Sequence, residues 1–190
     1  MTSNFPPVIL ASKSPRRQEL MKLLGIDFRV VLKEVDESYP EGLSPTEIAV
    51  YISEKKVHAF DESITNEIVI TADTIVVINN RILGKPRNEE DAFEILSELS
   101  GNMHEVVTGV SLLKDHKVHS FYEISEVYFK ELTPEQIRYY ISTGQPMDKA
   151  GAYGIQEWIG LIAIEKINGS YTNVVGLPTH RLYEELSKLV

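Results

Sequence analysis

The chain has 190 residues, 43% of them hydrophobic and 25% charged, a balance that supports a packed core and excludes wholesale disorder. Its 28 acidic residues outweigh 19 Lys and Arg, so the net charge is −9 and a coat for nucleic acid or an acidic membrane surface is not expected. There is no cysteine, which removes disulfides, thiolate catalysis and cysteine zinc sites and fits a reducing, cytoplasmic setting. Met1 to Pro7 has neither a basic nor an apolar segment of the kind a signal peptide needs, and no apolar run approaches membrane-spanning length.

Apolar runs alternate with capped helical patterns, and no repeat or long linker interrupts them, which predicts an α/β chain. Val8 to Ala11 reads as a short buried strand. Ser14 is an N-cap with Pro15 behind it, and Gly25 a stop for that helix. Phe28 to Leu32 is the next strand. Ser44-Pro-Thr-Glu47 is a capping box that starts a helix to about Phe60. Ile68 to Ile78 is a long strand, with Asn79-Asn80 as a hairpin turn into Arg81 to Leu83. Asn88 caps a helix that ends at Gly101. Two long strands follow, near 104–114 and 117–130. Thr133-Pro-Glu-Gln136 is a second capping box, with Gly144 as the stop. Gln145 to Gln156 is loop-like, Trp158 to Ile167 a strand, and a last helix starts near Pro178.

Some positions break these local rules, and such breaks tend to mark function. Ser12-Lys-Ser-Pro-Arg-Arg17 puts two arginines on the first turn of a helix, where free N–H groups and forked cations suit phosphate; surface arginines in a solvated turn are the plain alternative. Asp73 stands inside an apolar strand, a costly place for a carboxylate that is not paired, protonated or near a metal. A bulge, or an ion pair with a structural lysine, is the alternative there. Lys56 lies on the apolar face of its helix, either snorkelling or functional. Gly84-Lys85-Pro86 is a turn that presents one lysine, and is not a Walker A loop. Asp148 to Gln156 holds two glycines and small residues that let backbone approach a ligand, with Tyr153 to stack on a base and Gln156 to read its edge. Asp36 and Glu37 form a carboxylate pair in a loop, by themselves more simply solvated. His116 and His119 lack a third ligand and read as solvated.

Together these segments resemble the Maf family of nucleoside triphosphate pyrophosphatases. The matching residues are Leu10 to Arg17, Val35 to Glu37, Lys56, Ala72 to Thr74, Leu83 to Pro86, Leu99 to Gly101 with His104, Asp148 to Gln156, and Asn173 to Pro178, in family order over nearly the whole chain. The resemblance implies a single domain over residues 1–190, with an elongated mixed sheet in two lobes around a central cleft, like inosine-triphosphate pyrophosphatases. It implies hydrolysis of the α–β phosphoanhydride to a monophosphate and pyrophosphate with Mg²⁺ or Mn²⁺. It also implies a cytoplasmic homodimer with a house-cleaning role against non-standard nucleotides. The form of residues 148–156 resembles the subgroup that acts on dTTP and UTP.

Carried over, Asp73, Lys56 and Lys85 are the catalytic set, with Asp73 as proton acceptor. Ser12, Arg17, Lys56 and Lys85 match phosphate-site positions. Arg16, Thr74 and Gln156 match positions that set substrate specificity. Asp36 with Asp73 would hold the metal, and whether Asp73 takes the proton or binds the metal stays open. Glu157-Trp158 depart from the glycine that many members carry after Ile-Gln. Two alternatives are the same chemistry on a purine or modified nucleotide such as 7-methyl-GTP, and a non-catalytic nucleotide-binding regulator of septum formation.

Overall fold

A computed structural model of the protein describes residues 5–60 and 66–189. Seven strands form one mixed sheet: β1 (Val8–Leu10), β2 (Phe28–Val30), β3 (Ile68–Ile78), β4 (Arg81–Leu83), β5 (Met103–Lys114), β6 (Lys117–Phe129) and β7 (Ile164–Asn168). Their order is β2-β1-β3-β5-β6-β7, with β4 paired to β3. β1 runs parallel to both β2 and β3, with Val8 opposite Phe28 and Ile68. The helices are α1 (Pro15–Leu23), α2 (Pro45–His58), α3 (Glu89–Leu99), α4 (Pro134–Ser142), α5 (Trp158–Ala163), α6 (Tyr171–Val175) and α7 (Thr179–Ser187). None of the described helices is long and apolar enough to cross a membrane.

The caps fall where the sequence places them. Ser14, Ser44, Asn88 and Thr133 each accept a backbone N–H from the first turn of α1, α2, α3 and α4, satisfying donors that the helix leaves open. The Asn79-Asn80 and Asp115-His116 pairs all have positive φ, which matches the twist of two-residue hairpins.

The chain divides into two compact units. The first comprises Met1–Asp73, Thr108–Glu123 and Gly176–Val190; the second comprises Thr74–Val107 and Ile124–Val175. In the first, Ile9, Val57, Phe60, Val69 and Leu113 form a core with almost no exposure. A seam of buried hydroxyls joins α2 to the sheet beside it. Ser53 Oγ meets Ser111 Oγ at 2.7 Å, and Thr71 Oγ1 donates to the Ser53 carbonyl at 2.7 Å. Such bonds tolerate little displacement once buried, because a stranded hydroxyl there costs about 1–3 kcal/mol. They set the rotation of α2 and hence the direction of Lys56, one turn beyond Ser53.

One predicted element is wrong. Trp158 to Ile167 is expected as a single strand but folds as α5 followed by β7. The Gly160 and Leu161 N–H groups both bond to the Glu157 carbonyl, which starts a helical turn. Ile159 and Ala163, four apart, are buried while Leu161 is 81% exposed, so the apolar run follows a helical period. Gly160 lies so close to Ile155 that a Cβ would fall 1.8 Å from its carbonyl oxygen. The short helix α6 is not anticipated. It buries Asn173, whose amide donates to the Val106 carbonyl and to Ser125 Oγ.

Candidate active site

In the first unit, β1 leads straight into the N-terminus of α1. Ser12 is buried there, and its hydroxyl accepts from the Ser14 N–H at 3.2 Å and from Arg17 Nη1 at 3.5 Å. Arg17 reaches across the unit. Its Nε donates to the Gly176 carbonyl and its Nη1 to the Ala72 carbonyl, both at 2.8 Å. Ala72 is the residue before Asp73, so Arg17 fastens the strand at the candidate catalytic acid. Burial lowers the Arg17 pKa from its ordinary value, Asp73 and Glu37 oppose that shift, and Arg16 adds to it. Those couplings place Arg16, Arg17, Asp73 and Glu37 in one electrostatic neighbourhood.

The apolar-strand acid is not isolated. Lys56 Nζ lies 2.7 Å from Asp73 Oδ1 and 3.0 Å from Glu37 Oε1. The lysine on the apolar stripe of α2 and the acid on β3 therefore explain each other. Neither is affordable in so dry a place without the partner. Glu37 is not among the expected site residues, although the sequence pairs it with Asp36. Its neighbour Asp36 is the expected metal ligand, but its carboxylate is 72% exposed and turns to Lys55 at 3.1 Å. Hydrogen bonds from Ser38 and then Lys55 pull the Asp36 pKa down to about 2. In the sequence Glu37 stands beside Asp36 as a carboxylate pair and ends the Val35–Glu37 segment of the resemblance, and one step along an extended chain decides which carboxylate faces α2.

Among the described residues no group of three His, Asp or Glu side chains is arranged to hold a metal. Two carboxylates on one ammonium still fit the donor set of a Mg²⁺ or Mn²⁺ ion, which takes one or two carboxylates and completes its shell with phosphate oxygens and water. In the structure Lys56 Nζ lies between these two carboxylates.

The other sequence-predicted residues belong to the second unit. Thr74 directly follows Asp73 on β3. Lys85 is exposed on the turn after β4. The Gly151 N–H donates to the Gly84 carbonyl at 3.1 Å, so this turn is tied to the loop that ends at Gln156. That loop contains two short 3₁₀ helices, Gln145–Asp148 and Ala150–Ala152. Gln156 is exposed at its end.

Tyr153 does not offer its ring to a ligand. It is buried, packs edge-on against Phe129 and His104, and its hydroxyl meets His104 Nε2 at 2.8 Å. Burial raises the Tyr153 pKa and pushes the His104 pKa down to about 4. His119 pairs with Glu185 at 2.9 Å, and among the described residues no third ligand joins them.

A separate open groove of about 520 Å³ runs along the outer face of α2, past Tyr51, Glu54, Phe121 and Arg181. Its one cation, Arg181, is stacked on Phe121 and bonded to the Tyr122 carbonyl, so the groove lacks the positive field a triphosphate needs.

The fold class is shared with a HAM1 protein from Coxiella burnetii, whose structure covers 96% of this chain and 98% of its own at a TM-score of 0.52 and 14% identity. Residues 7–189 match the family described as Maf-like protein, and the chain belongs to that family. Relatives named dTTP/UTP pyrophosphatase include one from Bacteroides thetaiotaomicron, 52% identical over 96% of this chain and 95% of its own length. Another from Cytophaga hutchinsonii is 48% identical over 96% of this chain and 84% of its own length.

Proposed function

We propose that this protein hydrolyses dTTP and UTP between the α and β phosphorus atoms, giving a monophosphate and pyrophosphate. The observation that carries the reading is the cluster of Lys56, Asp73 and Glu37 beside Arg17 and Ser12, in a chain about half identical to relatives named for that activity.

A triphosphate repels an attacking water. Lys56 and Arg16 offset that charge and help hold the phosphorus for in-line attack, and the family resemblance gives Lys85 a phosphate-site role as well. Two of the Arg17 donors are committed to backbone carbonyls, so its chief part is to hold Ala72-Asp73 in place while adding its charge. Ser12 stands at the open end of α1, where N–H groups favour anions. A divalent ion held by Asp73 and Glu37 would polarise the phosphoryl group and acidify a bound water. Lys56 engages Oδ1 of Asp73, which leaves Oδ2 either to take the proton from the attacking water or to bind the ion. Thr74 and Gln156 set the choice of substrate. The Gln156 amide both donates and accepts, which suits the O4 and N3–H edge shared by uracil and thymine.

Incubation with UTP, dTTP, CTP, ATP and 7-methyl-GTP in Mg²⁺ or Mn²⁺, with the first products identified, tests this. Monophosphate and pyrophosphate from UTP and dTTP are expected. Orthophosphate and a diphosphate as first products, or no turnover of any of them, would overturn it.

A further inference from the structure

The base-facing loop is clamped at both ends to one side chain that the reaction does not use. Glu157 Oε1 accepts from Lys149 Nζ at 2.9 Å, and the same ammonium bonds to Asp148 and to the Gln145 carbonyl. Glu157 Oε2 accepts from the Tyr140 hydroxyl, and that hydroxyl accepts from the Gly154 N–H at 3.1 Å. One carboxylate thus gathers the start of the loop through Lys149 and its end through Tyr140. Lys149 and Tyr140 are both buried, so neither has water as a ready substitute partner. Burial and then Glu157 raise the Tyr140 pKa, so the phenol keeps the proton it donates. Gly154 packs directly on the carboxylate, where a Cβ would lie 2.6 Å from Glu157 Cδ. Gln156 is exposed and lies in the chain between Gly154 and Glu157, the two residues joined by this packing.

We propose that Glu157, acting through Tyr140 and Lys149, is a positioning residue for nucleobase selection: it sets where the Gln156 amide stands. This rests on the reading that Gln156 meets the base. Apart from the Gly151 tie to the Gly84 carbonyl, the loop is short 3₁₀ turns with few hydrogen bonds to keep it from opening. A carboxylate with two buried partners restricts it to one geometry, and a base edge is read only by an amide held in place.

Tyr140→Phe keeps the ring and removes the relay, whereas Glu157→Gln leaves the buried Lys149 ammonium with Asp148 as its one counter-charge and is the riskier fold. Both are compared with Gln156→Ala for kcat and KM on UTP and CTP. Tyr140→Phe should raise KM for UTP about tenfold, change kcat by less than about threefold and narrow the preference for UTP over CTP. Added to Gln156→Ala, it should narrow that preference no further, since the two act through one contact. Amide exchange at Gly154 should quicken by about tenfold in Tyr140→Phe. A merely structural role would lower all rates together and leave the ratio unchanged. If Gln156→Ala narrows the ratio and Tyr140→Phe does not, the positioning role fails and base reading stands. If Gln156→Ala leaves the ratio unchanged while Gly154 exchange quickens, base reading fails and the positioning role falls with it.

Discussion

In the first unit Lys56 is held by Asp73 at 2.7 Å and by Glu37 at 3.0 Å; in the second, Lys149 is held by Glu157 at 2.9 Å and by Asp148. The ingredients are alike, a lysine between two acids, and the surroundings differ. The outer acids, Glu37 and Asp148, are both more than half exposed, and the difference lies in the inner ones: Asp73 takes Lys56 on Oδ1, whereas Glu157 takes Lys149 on one oxygen and the Tyr140 hydroxyl on the other. The first cluster therefore has an inner acid with one oxygen left for a new partner. The second has its central acid saturated with donors. A site for a charged substrate needs the first condition, since new ligands must replace old ones at little cost, and a scaffold needs the second.

That contrast breaks most sharply at Asp73. Asp73→Asn should cut turnover at least about a hundredfold, the usual scale for removing a general base. Stability should change by no more than about 1–2 kcal/mol, because Lys56 keeps Glu37. Steady-state rates and urea unfolding of the same preparation check both halves. Near-normal turnover from the folded variant would remove Asp73 from the chemistry.

A second prediction concerns the second unit and its stability. His104 is buried beside Tyr153 and its pKa is pulled from 6.5 to about 4. The unfolded chain takes up this proton below its ordinary pKa, while the folded protein does not until about pH 4. The neutral ring thus contributes stability that is present above pH 6.5 and lost as pH falls toward 4, by up to about 3 kcal/mol. Urea titrations across that range should show the decline, and His104→Phe should flatten that part of it. An identical pH profile in the variant would assign the loss to other groups.

The smallest expected effect lies away from both clusters. Ser44 and Glu47 form a reciprocal cap on α2, with the Ser44 N–H bonded to Glu47 Oε2 at 2.8 Å. Ser44→Ala should cost about 1 kcal/mol of stability and leave turnover within about twofold, because Lys56 is oriented by the buried Ser53 seam rather than by the cap. A larger fall in turnover than in stability would mean that the cap helps to aim Lys56.

Much of the fold was legible because its signals are local. A cap needs a side chain three residues from an N–H, and a two-residue hairpin needs two residues that tolerate positive φ. Ser14, Ser44, Asn88, Thr133 and Asn79-Asn80 meet those conditions within a few positions. The unusual chemistry of Asp73 and Lys56 was also legible, since a charge on an apolar face is visible from periodicity alone.

What only the tertiary structure decided depends on contacts between distant positions. The 158–167 run is apolar enough for either a strand or a helix, and the burial of Ile159 and Ala163 without Leu161 selected the helix. Asp36 and Glu37 are chemically equivalent in sequence, and only the packing of their segment beside α2 gives Lys55 to one and Lys56 to the other. Tyr153 looked available to a base until His104 and Phe129 enclosed it. In each case residue type stated what a group can do, and burial with one specific partner determined what it does. A partner tens of residues away leaves no periodic trace in the chain.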